Sequence, residues 1–155
     1  MASRFATIAA LGVAGFTLSA SAATNDACTL LTAADVGAAL NAPAGVGEPI
    51  TPADHKLCTW RATDGHSWVT LLLQASQTFD SGKALYANAK GGNGMLFTPV
   101  SGVGNDAFFL AVGDQVGLIV KKGGVAFKVA VYQHGPVGPK QMAERTLAGK
   151  IVPRL

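Results

Sequence analysis

Two cysteines and three histidines are the side chains of this chain that are best suited to chemistry. Cys28 and Cys58 are its only cysteines, and His55-x-x-Cys58 has the spacing of two metal ligands. Zinc sites normally have three or four such ligands, and a cysteine in a disulfide does not bind metal. The chain also lacks the Cys-x-x-Cys pair that disulfide exchange uses. We therefore predict one disulfide and no metal site.

The histidines have no partner that the sequence selects. His55 lies in a predicted loop, His66 beside a hairpin tip and His134 at a strand end. Any of them could activate a serine, but no spacing favours one pair. Gly-x-Ser-x-Gly and phosphate-loop motifs are absent from the sequence. We predict no catalytic residues and no enzyme, with a His/Ser or His/Asp hydrolase as the alternative.

One glycine-rich stretch, Gly102 to Ala107, formally matches the Gly-x-Gly-x-x-Gly/Ala dinucleotide motif. In that motif the glycines open a helix, whose N-terminus binds the pyrophosphate. Here the following Phe108-Phe109-Leu110 is typical of a strand. We therefore predict a turn at this position and no cofactor.

The first 22 residues are typical of an export signal. Arg4 is followed by the apolar segment 5–18 and by a small-residue cleavage site, Ala20-Ser21-Ala22. The apolar segment is shorter than the about 20 residues that a membrane-spanning helix needs. No cysteine follows the site, as one would in a lipoprotein. We predict cleavage after Ala22 and a periplasmic or secreted protein with no membrane span in the mature chain.

Composition favours one domain, residues 23–155, with an ordinary solvated surface. The 12 basic and 9 acidic residues give a formal net charge of only +3, and they form no basic stripe. We therefore predict that the protein does not bind nucleic acid. In an exported chain, two cysteines indicate a disulfide, here Cys28–Cys58.

Three helices are expected. The first has a capping box, Thr32 and Asp35, and ends near Asn41, after which residues 41–54 are predicted to form a loop. The second is predicted from about Ser81 to Lys90. The third begins at Gly138-Pro139 and is closed by Pro153. The N-cap of the second helix is expected to be Asp80 or Ser81.

Hairpins account for the predicted sheet. A two-residue type I′ turn at Asp64-Gly65 pairs Trp60 with Val69 and Arg61 with Trp68. Turns at Gly113-Asp114 and Gly123-Gly124 join three further strands. Their predicted cross-strand pairs are Phe109–Leu118, Ala111–Val116, Val120–Phe127, Leu118–Val129 and Val116–Val131. All of these apolar side chains fall on one face, which is therefore the predicted core face.

The opposite face of the sheet, called the second face here, is amphipathic. Its apolar members form the candidate binding face: Trp68, Phe108, Leu110, Ile119 and Tyr132. Either a helix covers these side chains, or they bind an apolar ligand or a partner.

The chain resembles a group of small secreted or lipoprotein domains of unknown function that are common in actinobacteria. The shared pieces are Cys28-Thr29-Leu30-Leu31-Thr32, Cys58-Thr59-Trp60, the stretch 100–107 and a closing helix before Leu155. Many members are lipoproteins, whereas this chain lacks a cysteine at its cleavage site. The resemblance implies a disulfide and an α+β sandwich, and it supplies no catalytic residues.

Together these patterns predict an α+β domain with an antiparallel sheet of about five or six strands, three helices packed on it and one disulfide. The expected function is non-catalytic binding of a small apolar ligand or of an envelope protein through the second face. The remaining alternative is an inhibitor of a secreted enzyme that uses an exposed loop such as Gly91–Pro99.

Overall fold

A computed structural model describes residues 26–89 and 94–155, which contain seven strands and three α-helices. The strands are β1 Glu48–Thr51, β2 Asp54–Arg61, β3 Trp68–Ala75, β4 Met95–Val100, β5 Asp106–Val112, β6 Gln115–Lys122 and β7 Val125–Tyr132. The helices are α1 Ala33–Leu40, α2 Ser76–Asn88 and α3 Val137–Ile151. The predicted export signal lies outside the described residues. Within the described ranges, no helix has both the length and the apolar character that crossing a membrane requires.

All strand pairs are antiparallel, in the order β1-β2-β3-β7-β6-β5-β4. The α+β class is confirmed, but the predicted count of five or six strands is wrong. The outermost strands carry prolines, Pro49 in β1 and Pro99 in β4. Proline lacks the backbone N–H that a central strand donates to its neighbour, but it is tolerated at a sheet edge. The segment 41–54, which was predicted to be a loop, can therefore contain the edge strand β1 despite Pro49.

The core face is closed by α1 and α3. Leu147 and Ile151 of α3 are fully buried against the apolar side chains of β6 and β7. The predicted register holds for every pair except Val116–Val131. Pairing of β6 with β7 stops at Leu118 and Val129. The Val131 N–H is instead donated to the Glu144 side chain of α3, at 3.0 Å.

Turn geometry explains why the first hairpin keeps its register although its turn type was predicted wrongly. Type I′ requires positive φ at both central residues. Gly65 has a φ of 73°, but Asp64 does not have a positive φ. The Gly65 N–H is donated to the Ala62 carbonyl, and the Ala62 N–H to the Ser67 carbonyl. The connection is therefore a four-residue loop that keeps the predicted pairing.

The helix boundaries differ most at α2. The capping box of α1 is present, with Asn41 in the left-handed region at its end. Helix α2, however, begins at Ser76 immediately after β3, and its N-cap, Ala75, makes no side-chain hydrogen bond. Asp80 and Ser81 therefore both lie inside the helix, and neither is its N-cap. The start was missed because burial of Phe79, and not a local capping signal, holds the first turn.

The glycine-rich stretch before β5 is a turn that leads into a strand, as predicted. Gly104 has a φ of 62°, and a Cβ built there would lie 2.5 Å from the Lys121 carbonyl oxygen. Asn105 donates its N–H to that same oxygen. The glycines thus permit close packing of this turn against the end of β6.

The disulfide between Cys28 and Cys58 is confirmed, with the two Cα atoms 5.2 Å apart. Cys28 belongs to a short 3-10 helix, Ala27–Thr29, and Cys58 is fully buried in β2. A Cβ built at Gly47 would lie 2.8 Å from the Cys58 sulfur and 2.6 Å from the Trp60 ring. The bridge, the indole and the chain entering β1 are therefore packed tightly together.

Replacing both cysteines by serine should lower the free energy of unfolding by about 3.5 kcal/mol, because the bridge restricts the unfolded chain. Urea unfolding followed by circular dichroism measures the change. Wild-type protein in dithiothreitol is the control and should be destabilised similarly. An unchanged unfolding midpoint in the double variant would show that the bridge contributes little to stability.

Candidate functional site

Helix α2 covers only part of the second face. Its Phe79 side chain is 1% exposed and packs on Phe108, with ring centroids 5.3 Å apart. Ile119 and Ala126 complete this small buried cluster. The predicted binding face is consequently divided, with Phe108 and Ile119 buried. Leu110 is partly buried beside this cluster.

Between α2 and the open part of the sheet lies a groove of about 540 Å³, called the α2 groove here. Its floor is formed by Phe108, Leu110 and Ile119, and its helical wall carries Leu85 and Tyr86. Leu85 is 66% exposed, so a large apolar side chain faces solvent at the rim. The remaining lining residues are Gln74, Gln77, Thr78, Phe79, Ser81, Gly82 and Lys128.

Two ion pairs fasten α2 to the sheet. The Asp80 carboxylate accepts from the Lys121 ammonium at 2.7 Å, and Lys83 of the helix pairs with Asp106. Both pairs are partly exposed and contribute modest stability. They also neutralise both acidic side chains at this side of the groove. Sequence reasoning missed them because the partners lie far apart in the chain.

Lys128 projects from β7 onto the second face, beside the floor of the α2 groove. It is opposite Ile119 of β6 and Leu72 of β3. A Cβ built at Gly117 would lie 2.6 Å from the Lys128 Cε atom, so the lysine stem occupies the space that this glycine leaves. Within the described residues, Lys128 has no ion-pair partner.

At the far end of the second face, an aromatic ridge stands where α2 does not reach. Trp68 and Tyr132 are stacked, with centroids 5.0 Å apart and planes inclined by 11°. The Arg61 guanidinium lies 5.9 Å from the indole centroid, as the predicted pairing required. The ridge borders a depression of about 350 Å³ that His66 and His134 also line.

The histidines form no catalytic arrangement with serine in the part of the chain that the structure describes. His55 is paired with Asp26, Nδ1 to Oδ2, at 3.3 Å, and both side chains are exposed. His66 and His134 share their depression with Asp114, without a hydrogen bond from either ring. Among residues 26–89 and 94–155, no group of His, Cys, Asp and Glu could hold a metal ion.

The loop considered for an inhibitor is largely not a loop. Its residues 91–93 lie outside the described ranges, and Met95–Val100 forms the edge strand β4. Leu96 of this strand is 64% exposed. The segment therefore presents a strand edge.

Comparison of the chain with protein-family models, with curated proteins and with solved structures finds no match. The resemblance to secreted actinobacterial domains therefore stays a prediction.

Helix α3 contains two fully buried ionisable residues, Lys140 and Glu144. The Lys140 ammonium donates to the Asp114 carbonyl at 2.8 Å. Glu144 accepts from the Val131 N–H with one oxygen, while its Oε2 atom has no partner. Burial raises the pKa of Glu144 to about 8, although the Val131 bond and the positive charges of Lys128 and Lys140 oppose the shift. The carboxyl group is thus protonated in the folded protein at neutral pH.

The raised pKa of Glu144 predicts that stability falls as the pH rises from about 4.5 to about 8. In this window the unfolded chain releases the proton and the folded protein keeps it, at up to about 1.4 kcal/mol per pH unit. Glu144→Gln should flatten this dependence because it removes the titrating group. Unfolding by urea at a series of pH values measures it.

The control is Glu48→Gln, since Glu48 is exposed in β1 and should leave the slope unchanged. If the stability of Glu144→Gln and of wild type depended on pH in the same way, a raised pKa of Glu144 would be contradicted.

Proposed function

We propose that this protein is a non-catalytic binding protein that holds a small apolar ligand in the α2 groove. The observation that carries the proposal is the groove between α2 and the sheet, where Leu110 and Tyr86 are only partly buried and Leu85 is exposed at the rim. Ligand sites are commonly concave, mainly apolar and on the order of 300–1,000 Å³ in volume. The α2 groove has this size and is lined by Phe108, Leu110 and Ile119, with a few polar groups around them.

The attachment of α2 supports this role. Phe79 is the only buried side chain of the helix and lies in its first turn. Asp80 and Lys83, which form the ion pairs, lie within the four residues that follow it. The second half contributes Leu85 and Tyr86 to the groove wall. A segment with few buried contacts opens at low free-energy cost. A ligand could therefore enter without disturbing the core on the other face.

We propose further that the protein acts outside the cytoplasm, in the periplasm or after secretion. The Cys28–Cys58 disulfide supports this location, because such bonds persist in oxidising compartments. The export signal expected in residues 1–22 supports the same location.

Leu85→Ser should weaken binding of a neutral apolar probe about fivefold, because the ligand loses one apolar contact at the rim. N-phenyl-1-naphthylamine is a suitable probe, and its fluorescence titration gives the Kd. Because Leu85 is 66% exposed, the fold should be little affected. Displacement by 1-decanol then tests whether an unrelated apolar ligand uses the same site.

Leu96→Ser is the matched control, since Leu96 is 64% exposed but lies on β4, outside the groove lining. It should bind the probe like wild type. Equal losses in both variants, or no probe binding by wild type, would reject the α2 groove as the site.

A further inference from the structure

The charge distribution around the α2 groove identifies a class of ligand. The acidic side chains beside the helix are already neutralised, Asp80 by Lys121 and Asp106 by Lys83. Lys128 lines the groove without a carboxylate partner among the described residues. The groove therefore combines an apolar floor with one uncompensated positive charge.

The position of Lys128 suits a ligand whose charged group lies at the end of an apolar chain. Its stem packs over Gly117, which is paired with Leu110 of the groove floor. Lysine commonly buries its methylene stem along apolar surface while its ammonium stays accessible. An alkyl chain lying between Leu110 and Leu85 would then bring its terminal anion towards the ammonium. The lysine is partly buried, which strengthens such a pair relative to one in open water.

We propose that the α2 groove binds a single-chain fatty acid, with its carboxylate held by Lys128 and its alkyl chain on the apolar floor. This inference rests on the proposed function and adds the ligand class to it. A carboxylate accepts charge-assisted hydrogen bonds from an ammonium group, whereas an alcohol of the same length makes only a weaker, neutral contact. The anion should therefore be preferred over the matched neutral chain.

The test compares decanoate, 1-decanol and decyltrimethylammonium as displacers of N-phenyl-1-naphthylamine at about pH 7.5, where decanoate is ionised. Wild-type protein should bind decanoate roughly tenfold more tightly than 1-decanol, and the quaternary amine most weakly. Lys128→Met should abolish the preference for decanoate and leave the affinity for 1-decanol unchanged, because methionine retains an apolar stem over Gly117. Lys128→Arg should retain the preference.

Lys150→Met is the charge-matched control, since Lys150 is exposed at the end of α3 on the other side of the sheet. It should behave as wild type. Equal affinity of wild type for decanoate and 1-decanol, or a preference that survives in Lys128→Met, would overturn the fatty-acid inference while leaving apolar binding intact. Failure of all three compounds to displace the probe would overturn the proposed function as well. Thermal unfolding of each variant checks that a lost preference for decanoate comes from the changed side chain and not from loss of the fold.

Discussion

The α2 groove depends on the packing of Phe79 against Phe108. This contact places α2 across one part of the second face and leaves the rest of that face open. Without it, only the more distant Tyr86–Phe108 contact and two partly exposed ion pairs would hold the helix, and such ion pairs contribute little. With it, Leu85 and Tyr86 are positioned as a wall above an apolar floor. One buried aromatic pair therefore positions both the helical wall of the α2 groove and the groove itself.

The other face of the sheet is closed, which is why the second face is the surface available for binding. Helices α1 and α3 bury their apolar stripes there, and the Cys28–Cys58 bridge fixes the chain before α1 to β2. The Glu144 carboxyl group also belongs to this face, where it takes the place of the missing β6–β7 pairing at Val131. A polar group in the core thus completes the sheet, and its raised pKa is a consequence of that position.

The sequence predicted the parts of the fold that local chemistry determines. Glycines at Gly113 and Gly123 fixed the registers of two hairpins, and the Thr32 and Asp35 side chains fixed the start of α1. The prediction failed where distant contacts decide. Strand β1 was not predicted because it contains Pro49. A strand tolerates proline at the edge of a sheet, and the edge position of β1 follows only from the assembled sheet.

The candidate site was predicted only in part, for the same reason. Phe108, Leu110 and Ile119 were recognised as apolar members of the second face from their alternation with core residues. Their division into covered and open regions depends on where α2 begins, and that start has no capping signal. That Lys128 has no ion-pair partner among residues 26–89 and 94–155 likewise depends on how the nearby acids pair.

The most direct measurement is a methyl-group NMR titration of isotopically labelled protein with 1-decanol. We expect concentration-dependent shifts of the Leu85, Leu110 and Ile119 methyl signals, because these residues line the α2 groove. The methyl signals of Ile151, buried under α3 on the other face, should stay in place. Shifts centred on Ile151, or no shift at the groove methyl groups at saturating 1-decanol, would contradict apolar binding in the α2 groove.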